Sequence, residues 1–238
     1  GVLGAGVGVA LSGGRLSLAR EAGRLGVATL AGIGMGDPVA WGLIQFRTAV
    51  LIGPGVWRIS ELLRGQFGTE ALMPDILEAG AYFVRLDGTP RQIALATAQR
   101  GQVRHYRIGP ADKPHDHAAY RHEVQAFAGL GLRPYSPVHL TARFVAGDLV
   151  VSWIRRARIE ADGWDLPEIP LGEDREAYVL RVLVGGSVLR RVDLGAAAWT
   201  YSAAMQAEDG ANGAVEIEVA QVSDRFGAGP AARIAVLP

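Results

Sequence analysis

Thirty-two glycines in 238 residues, with only 12 prolines and no Gly-X-Y period, narrow the choice of fold more than any other feature of this chain. Glycine in a helix interior costs about 1 kcal/mol relative to alanine, so a chain this rich in it favours many turns and short strands over long helices. Hydrophobic residues make up 49% and charged residues 20%, a composition able to bury a core and far from a disordered polyelectrolyte. Twenty-four basic residues balance 24 acidic ones, and Lys113 is the only lysine. Affinity for nucleic acid comes mainly from Lys and Arg neutralising phosphates, so direct DNA binding is not expected. Cysteine is absent, which excludes disulfides and thiolate metal sites.

The length predicts one large or two small domains. Without an initiator Met, the segment reads as an excerpt or a processed product. Its apolar opening, Gly1 to Leu11, is too short to span a bilayer and reads as a glycine-rich buried strand. In the first half, period-two runs predict strands at Gly14–Ala19, Trp41–Ile52 and Ala81–Leu86, the last closed by Asp87-Gly88-Thr89-Pro90. Gln92–Ala98 and Gln102–Ile108 read as a pair around Arg100-Gly101, and Tyr120–Ala128 as a strand or a short helix. Ile59–Arg64 and Thr69–Glu78 each have the length of two helical turns, with Pro74 interrupting the second.

A boundary falls in Gly129-Leu130-Gly131-Leu132-Arg133-Pro134-Tyr135-Ser136-Pro137, where two glycines and two prolines stop either regular structure. The expected division is 1–132 and 133–238. Strand candidates then follow at Val138–Phe144, Asp148–Arg156, Ala177–Leu183, Ser187–Asp193, Ala198–Ser202, Ala214–Val222 and Ala232–Leu237, the count of an immunoglobulin-like sandwich. The predicted fold class is all-β.

The second unit resembles a fibronectin type III domain. Ser136-Pro137-Val138-His139-Leu140 and Gly147–Trp153 look like its first two strands, the second ending in a core tryptophan. Tyr178–Val182, Trp199-Thr200-Tyr201 and Val215–Val219 look like later ones. Val215 stands where that family usually has its tyrosine corner.

In the first unit, Ile59-Ser60-Glu61-Leu62-Leu63-Arg64-Gly65-Gln66-Phe67-Gly68-Thr69-Glu70, followed by Gly80–Val84, resembles the Leu-Leu-Arg-Gly-x-x-Gly-Thr-Glu signature of phage tail-tip proteins. In particular it is similar to the C-terminal part of the large host-specificity protein of phage-like gene transfer agents. Gly129–Leu140 and Val151–Arg156 also fit that family. The resemblance implies a virion component: a homotrimer at the tail tip or baseplate that contacts other baseplate proteins and a host-surface glycan or receptor. It implies attachment and DNA delivery, not catalysis, and no cofactor. From the residues themselves, Gly65 and Gly68 permit positive φ, and Arg64 offers five donors for neighbouring carbonyls or for Glu70.

Other chemistry is sparse. His115 and His117 lie at i and i+2, and with His122 they have the residue types for an open three-ligand metal site; a solvated loop after Pro114 is the competing reading. Glu160, Asp162, Asp165, Glu168, Glu173, Asp174 and Glu176 crowd one segment, yet lack the EF-hand spacing and read as a solvated connection. The glycine clusters at 4, 6, 8 and 32, 34, 36 lack Gly-x-Gly-x-x-Gly spacing, and no Gly-x-Ser-x-Gly elbow exists. Trp164, inside the acidic segment, is the aromatic least explained by strand alternation and the candidate glycan or partner contact. A carbohydrate-binding or glycan-processing accessory module is the alternative function.

Overall fold

Pro54-Gly55 is the two-residue turn that folds the longest strand pair of the chain back on itself, β4 (Trp41–Gly53) against β5 (Val56–Arg64), with Gly53 opposite Val56. The computed structural model describes residues 2–3, 7–10, 30–35, 41–88, 90–159 and 169–237. The expected strand Gly14–Ala19 lies outside them. Among the described residues the protein is all-β: fifteen strands, four isolated 3₁₀ turns and one short α-helix. No described helix is long and apolar enough to cross a membrane. Contacts divide the chain into Gly1–Gly131 and Leu132–Pro238.

In the first unit, β4 and β5 are the centre of an antiparallel sheet ordered β1-β5-β4-β3-β6. Its other members are β1 (Val2–Leu3), β2 (Val7–Ala10), which also pairs with β5, β3 (Leu30–Gly34) and β6 (Tyr82–Arg85). The described parts of the strand expected over Gly1–Leu11, β1 and β2, both pair antiparallel with β5. Val9, Ala31, Ile33, Ile44, Phe46, Ala49, Ile59 and Leu62 form the core of this unit.

Ile59–Arg64 is strand, not helix, and the reason for the misreading is visible. Glu61 takes φ +55° in mid-strand, ion-paired to Arg47 at 3.0 Å. That left-handed residue turns the strand over, so Ile59 and Leu62 reach the same core although three residues apart, a spacing that imitates a helix. The segment after it makes only two 3₁₀ turns, Gln66–Gly68 and Glu70–Leu72.

The hairpin expected from Gln92–Ala98 and Gln102–Ile108 is not formed. Gln92–Ala96 has no regular structure, and β7 (Arg104–Ile108) pairs instead with β8 (Arg121–Gln125) as a separate two-stranded sheet. Pairing of β7 with the later segment leaves Pro110–Ala119 as a loop tied to itself. The Tyr120 hydroxyl donates to the Pro110 and Lys113 carbonyls at 2.8 and 3.2 Å, and the ring of Tyr120 lies so close over Gly109 that a Cβ there would meet it at 2.6 Å.

Among the described residues the second unit is a two-sheet sandwich of seven strands. One sheet is ordered β13-β10-β9 and the other β12-β11-β14-β15. The strands are β9 (Val138–Val145), β10 (Asp148–Ile154), β11 (Tyr178–Val184), β12 (Ser187–Leu194), β13 (Ala198–Tyr201), β14 (Val215–Ser223) and β15 (Gly227–Val236). Strict alternation on β10 sends Leu149, Val151 and Trp153 inward against Tyr178, Leu180 and Val182 of β11 and Ile217 and Val219 of β14. β15 starts at Gly227, five residues earlier than the apolar pattern indicates, because an edge strand accommodates Pro230. The helix α1 (Ala203–Glu208) has no expectation behind it; its signal is Ser202, whose hydroxyl accepts from Met205 N at 3.2 Å ahead of good helix formers.

Candidate functional site

The Leu62–Glu70 signature ends a core strand and folds a turn over the sheet that strand belongs to. Gly65, Phe67 and Gly68 all take positive φ, at 72°, 54° and 78°. Thr69 fastens this turn: its Oγ1 accepts from Leu43 N of β4 at 2.9 Å and donates to Gln66 O at 2.8 Å. Arg64 was expected to hold Glu70 or nearby carbonyls, and carbonyls take it, Nη2 donating to Pro74 O and Nη1 to Asp75 O at 3.4 Å. Those bonds draw in the following loop, so Met73 packs on β4 over Gly42, where a Cβ would stand 1.6 Å from its Sδ. Leu77, Ala81 and Phe83 complete the cover of the core. The motif is a clasp, built of backbone geometry and fastened by Thr69 and Arg64. Phe67 is 60% exposed at its tip, a bulky residue in left-handed backbone presented to solvent.

Residues 3–84 match the family described as Rcc01698-like, C-terminal. The match begins in β1 and ends in β6, so it covers the clasp and the six-stranded sheet and stops before β7. No curated protein matches the chain. Among solved structures, the extracellular region of rat CD45, domains d3–d4, aligns with 11% identity over 64% of this chain and 72% of that one, at a TM-score of 0.33.

The histidines do not assemble as the spacing suggested. His122 leaves the loop and joins His105 of β7, Nε2 to Nδ1 at 3.0 Å. His115 packs edge-on against Tyr120, and His117 Nδ1 accepts from Ala119 N at 3.1 Å. Trp164 lies outside the described residues, as do Glu160, Asp162, Asp165 and Glu168 of the acidic segment. The described acids of that segment have protein partners. Glu173 takes Arg158 at 2.8 Å, Glu176 accepts the Tyr178 hydroxyl at 2.7 Å, and Asp174 takes both Nε and Nη2 of Arg225 at 3.0 and 2.9 Å. Among the described residues no group of three or more His, Asp or Glu is placed to hold a metal ion.

Asp174 belongs to a reciprocal arrangement that sequence reasoning missed. Arg175 grips Asp224 through Nε and Nη2 at 2.9 and 3.0 Å while Arg225 grips Asp174, and Arg158 lies 5.0 Å over the Phe226 ring. The signal was an Asp-Arg dipeptide occurring twice, at 174–175 and 224–225. Both pairs are solvent-exposed, so they fix the geometry of this end of the sandwich more than they stabilise it.

A second network joins the two sheets of the sandwich. The Tyr201 hydroxyl of β13 donates to Asp209 at 2.6 Å, and Arg190 of the opposite sheet grips the same carboxylate at 2.7 and 2.9 Å. Asp209, just after α1, thereby ties the two sheets together. Arg190 first, and then Tyr201, hold its carboxyl below the usual carboxylate range. Stability from a carboxylate depressed in this way is fully present above its ordinary pKa of about 3.9 and is lost as pH falls through the folded value. The sandwich is therefore expected to weaken on acidification below about pH 4, and Asp209→Asn to flatten that decline. Urea midpoints between pH 3 and 6 for the two proteins check it; parallel curves would remove Asp209 from the account.

Proposed function

We propose that this chain is a non-enzymatic structural component of a phage-like tail tip or baseplate, of the gene-transfer-agent host-specificity kind, acting in host-cell attachment and DNA delivery. The observation that carries the reading is the Leu-Leu-Arg-Gly-x-x-Gly-Thr-Glu clasp inside a sheet that matches the Rcc01698-like family, a name associated with gene transfer agents. The physical character of the molecule supports it. Two β-rich units, zero formal charge and polar networks spent on bracing suit a part that supplies rigid surface. In this role the chain is virion-borne and homotrimeric, is held by other baseplate proteins and meets a glycan or receptor on the host. Three weak contacts held together then bind more tightly than one.

Gold-labelled antibody against the chain, applied to purified particles, is expected to mark one end of the tail. Unlabelled particles, with the protein recovered only free of them, would overturn the reading. Incubation with peptidoglycan and capsular polysaccharide is expected to give no turnover, and release of soluble saccharide would favour the glycan-processing alternative.

A further inference from the structure

Four of the five histidines fall within 18 residues, His105 to His122, and two of them meet on one face of the β7–β8 sheet. The register sets His105 opposite Val124 and His122 opposite Arg107, so the two imidazoles are diagonal neighbours across an antiparallel pair. Their rings are nearly parallel, 15° apart, with centroids 5.2 Å from each other and facing nitrogens at 3.0 Å, so they meet edge to edge.

We propose that His105 Nδ1 and His122 Nε2 form a two-imidazole chelate for a borderline divalent cation of the zinc, nickel or copper type, which clips β7 to β8. Two nitrogens each about 2.0–2.1 Å from one cation stand about 2.9–3.4 Å apart when their bonds meet at about 90–109°. The observed separation lies inside that bite. Imidazole nitrogen selects these metals over magnesium and calcium, which prefer oxygen. The proton now shared between the facing nitrogens moves to the outer nitrogen of its own ring, the alternative neutral tautomer, so both facing lone pairs become free. Exposed histidines have the χ2 freedom to turn both lone pairs toward one point. Water fills the remaining positions.

The hairpin also has reason to need a clip. None of its ten strand residues is buried, and a two-stranded sheet without a hydrophobic face is marginal in water. Small folds without a core commonly gain order from a metal. The adverse neighbour is Arg107, directly opposite His122; its Nη1 donates to His115 O at 3.2 Å, which draws the charge toward the loop.

Calorimetric titration of the full chain with zinc, nickel and magnesium chlorides tests this. One zinc or nickel ion is expected per chain and no magnesium. His105→Gln and His122→Gln are each expected to weaken binding by about tenfold or more, whereas the His115→Gln/His117→Gln double variant retains it within about threefold. Amides of residues 104–108 and 121–125 are expected to exchange about tenfold more slowly with saturating zinc. Equal loss in the loop variant, no binding at millimolar metal, or unchanged exchange of those amides would each overturn the proposal.

Discussion

Replacing Gly65 with alanine is expected to destabilise the six-stranded sheet by about 2–5 kcal/mol. Two costs combine. At φ +72° a side chain pays about 1–2 kcal/mol for left-handed backbone. The new Cβ would also stand 2.8 Å from Cα and Cβ of Glu70, and a backbone atom cannot swing aside as a side-chain tip does. Overpacking of that kind adds about 1–3 kcal/mol. Gly80→Ala separates the two terms: its φ is +95° but nothing lies within 4 Å of the added atom, so only the backbone term applies. Hydrogen exchange over β4, β5 and β6 in the two variants is the measurement. If Gly65→Ala costs no more than Gly80→Ala, close packing of the turn on Glu70 is not what fixes the clasp. Because Thr69 and Arg64 are placed by this turn, loss of Gly65 is also expected to loosen Met73 and the loop it anchors.

Much of the second unit could be read from the chain. Strands expected at Asp148–Arg156 and Ala177–Leu183 are found at Asp148–Ile154 and Tyr178–Val184, and Trp153, which the resemblance makes a core tryptophan, is buried. The first unit resisted the same reading where backbone conformation, not side-chain pattern, decides the face. At Glu61 a non-glycine residue in left-handed backbone breaks the period of two, and no residue type announces it. Likewise, the glycines of the signature marked the turn correctly, but the partner of Arg64 is the carbonyl pair of Pro74 and Asp75, and carbonyls carry no sequence label. Long-range charge geometry was equally hidden: Asp209 and Arg190 are 19 residues apart, and Asp174 and Arg225 are 51. The histidines show the same limit from the other side. Proximity in sequence grouped His115 with His117, whereas register across β7 and β8 groups His105 with His122.

Trp153→Ala is expected to be the most destabilising truncation in the sandwich, at about 3–5 kcal/mol. Trp153 is 4% exposed at the inward face of β10 and meets Tyr178 of the opposite sheet edge-on, with centroids 5.1 Å apart. That contact crosses between the sheets, so its removal opens a cavity on the plane that holds them together, bounded by side chains already fixed by their own strands. Tyr178 cannot follow into the space. Its hydroxyl is committed to Glu176, and burial, followed by that bond, raises its pKa above the ordinary tyrosine value. Since an ordinary domain is stable by only about 5–15 kcal/mol, the loss is a large fraction of what the sandwich has. Trp199→Ala supplies the comparison, because Trp199 is only half-buried and stacks on Tyr201 within its own strand. Its expected cost is about 1–2 kcal/mol, in proportion to the smaller area it buries. Urea denaturation followed by hydrogen exchange in β11 and β14 ranks the two. Equal costs would mean that the Tyr201–Asp209–Arg190 tie, which also crosses from one sheet to the other, matters as much to joining them as the indole does.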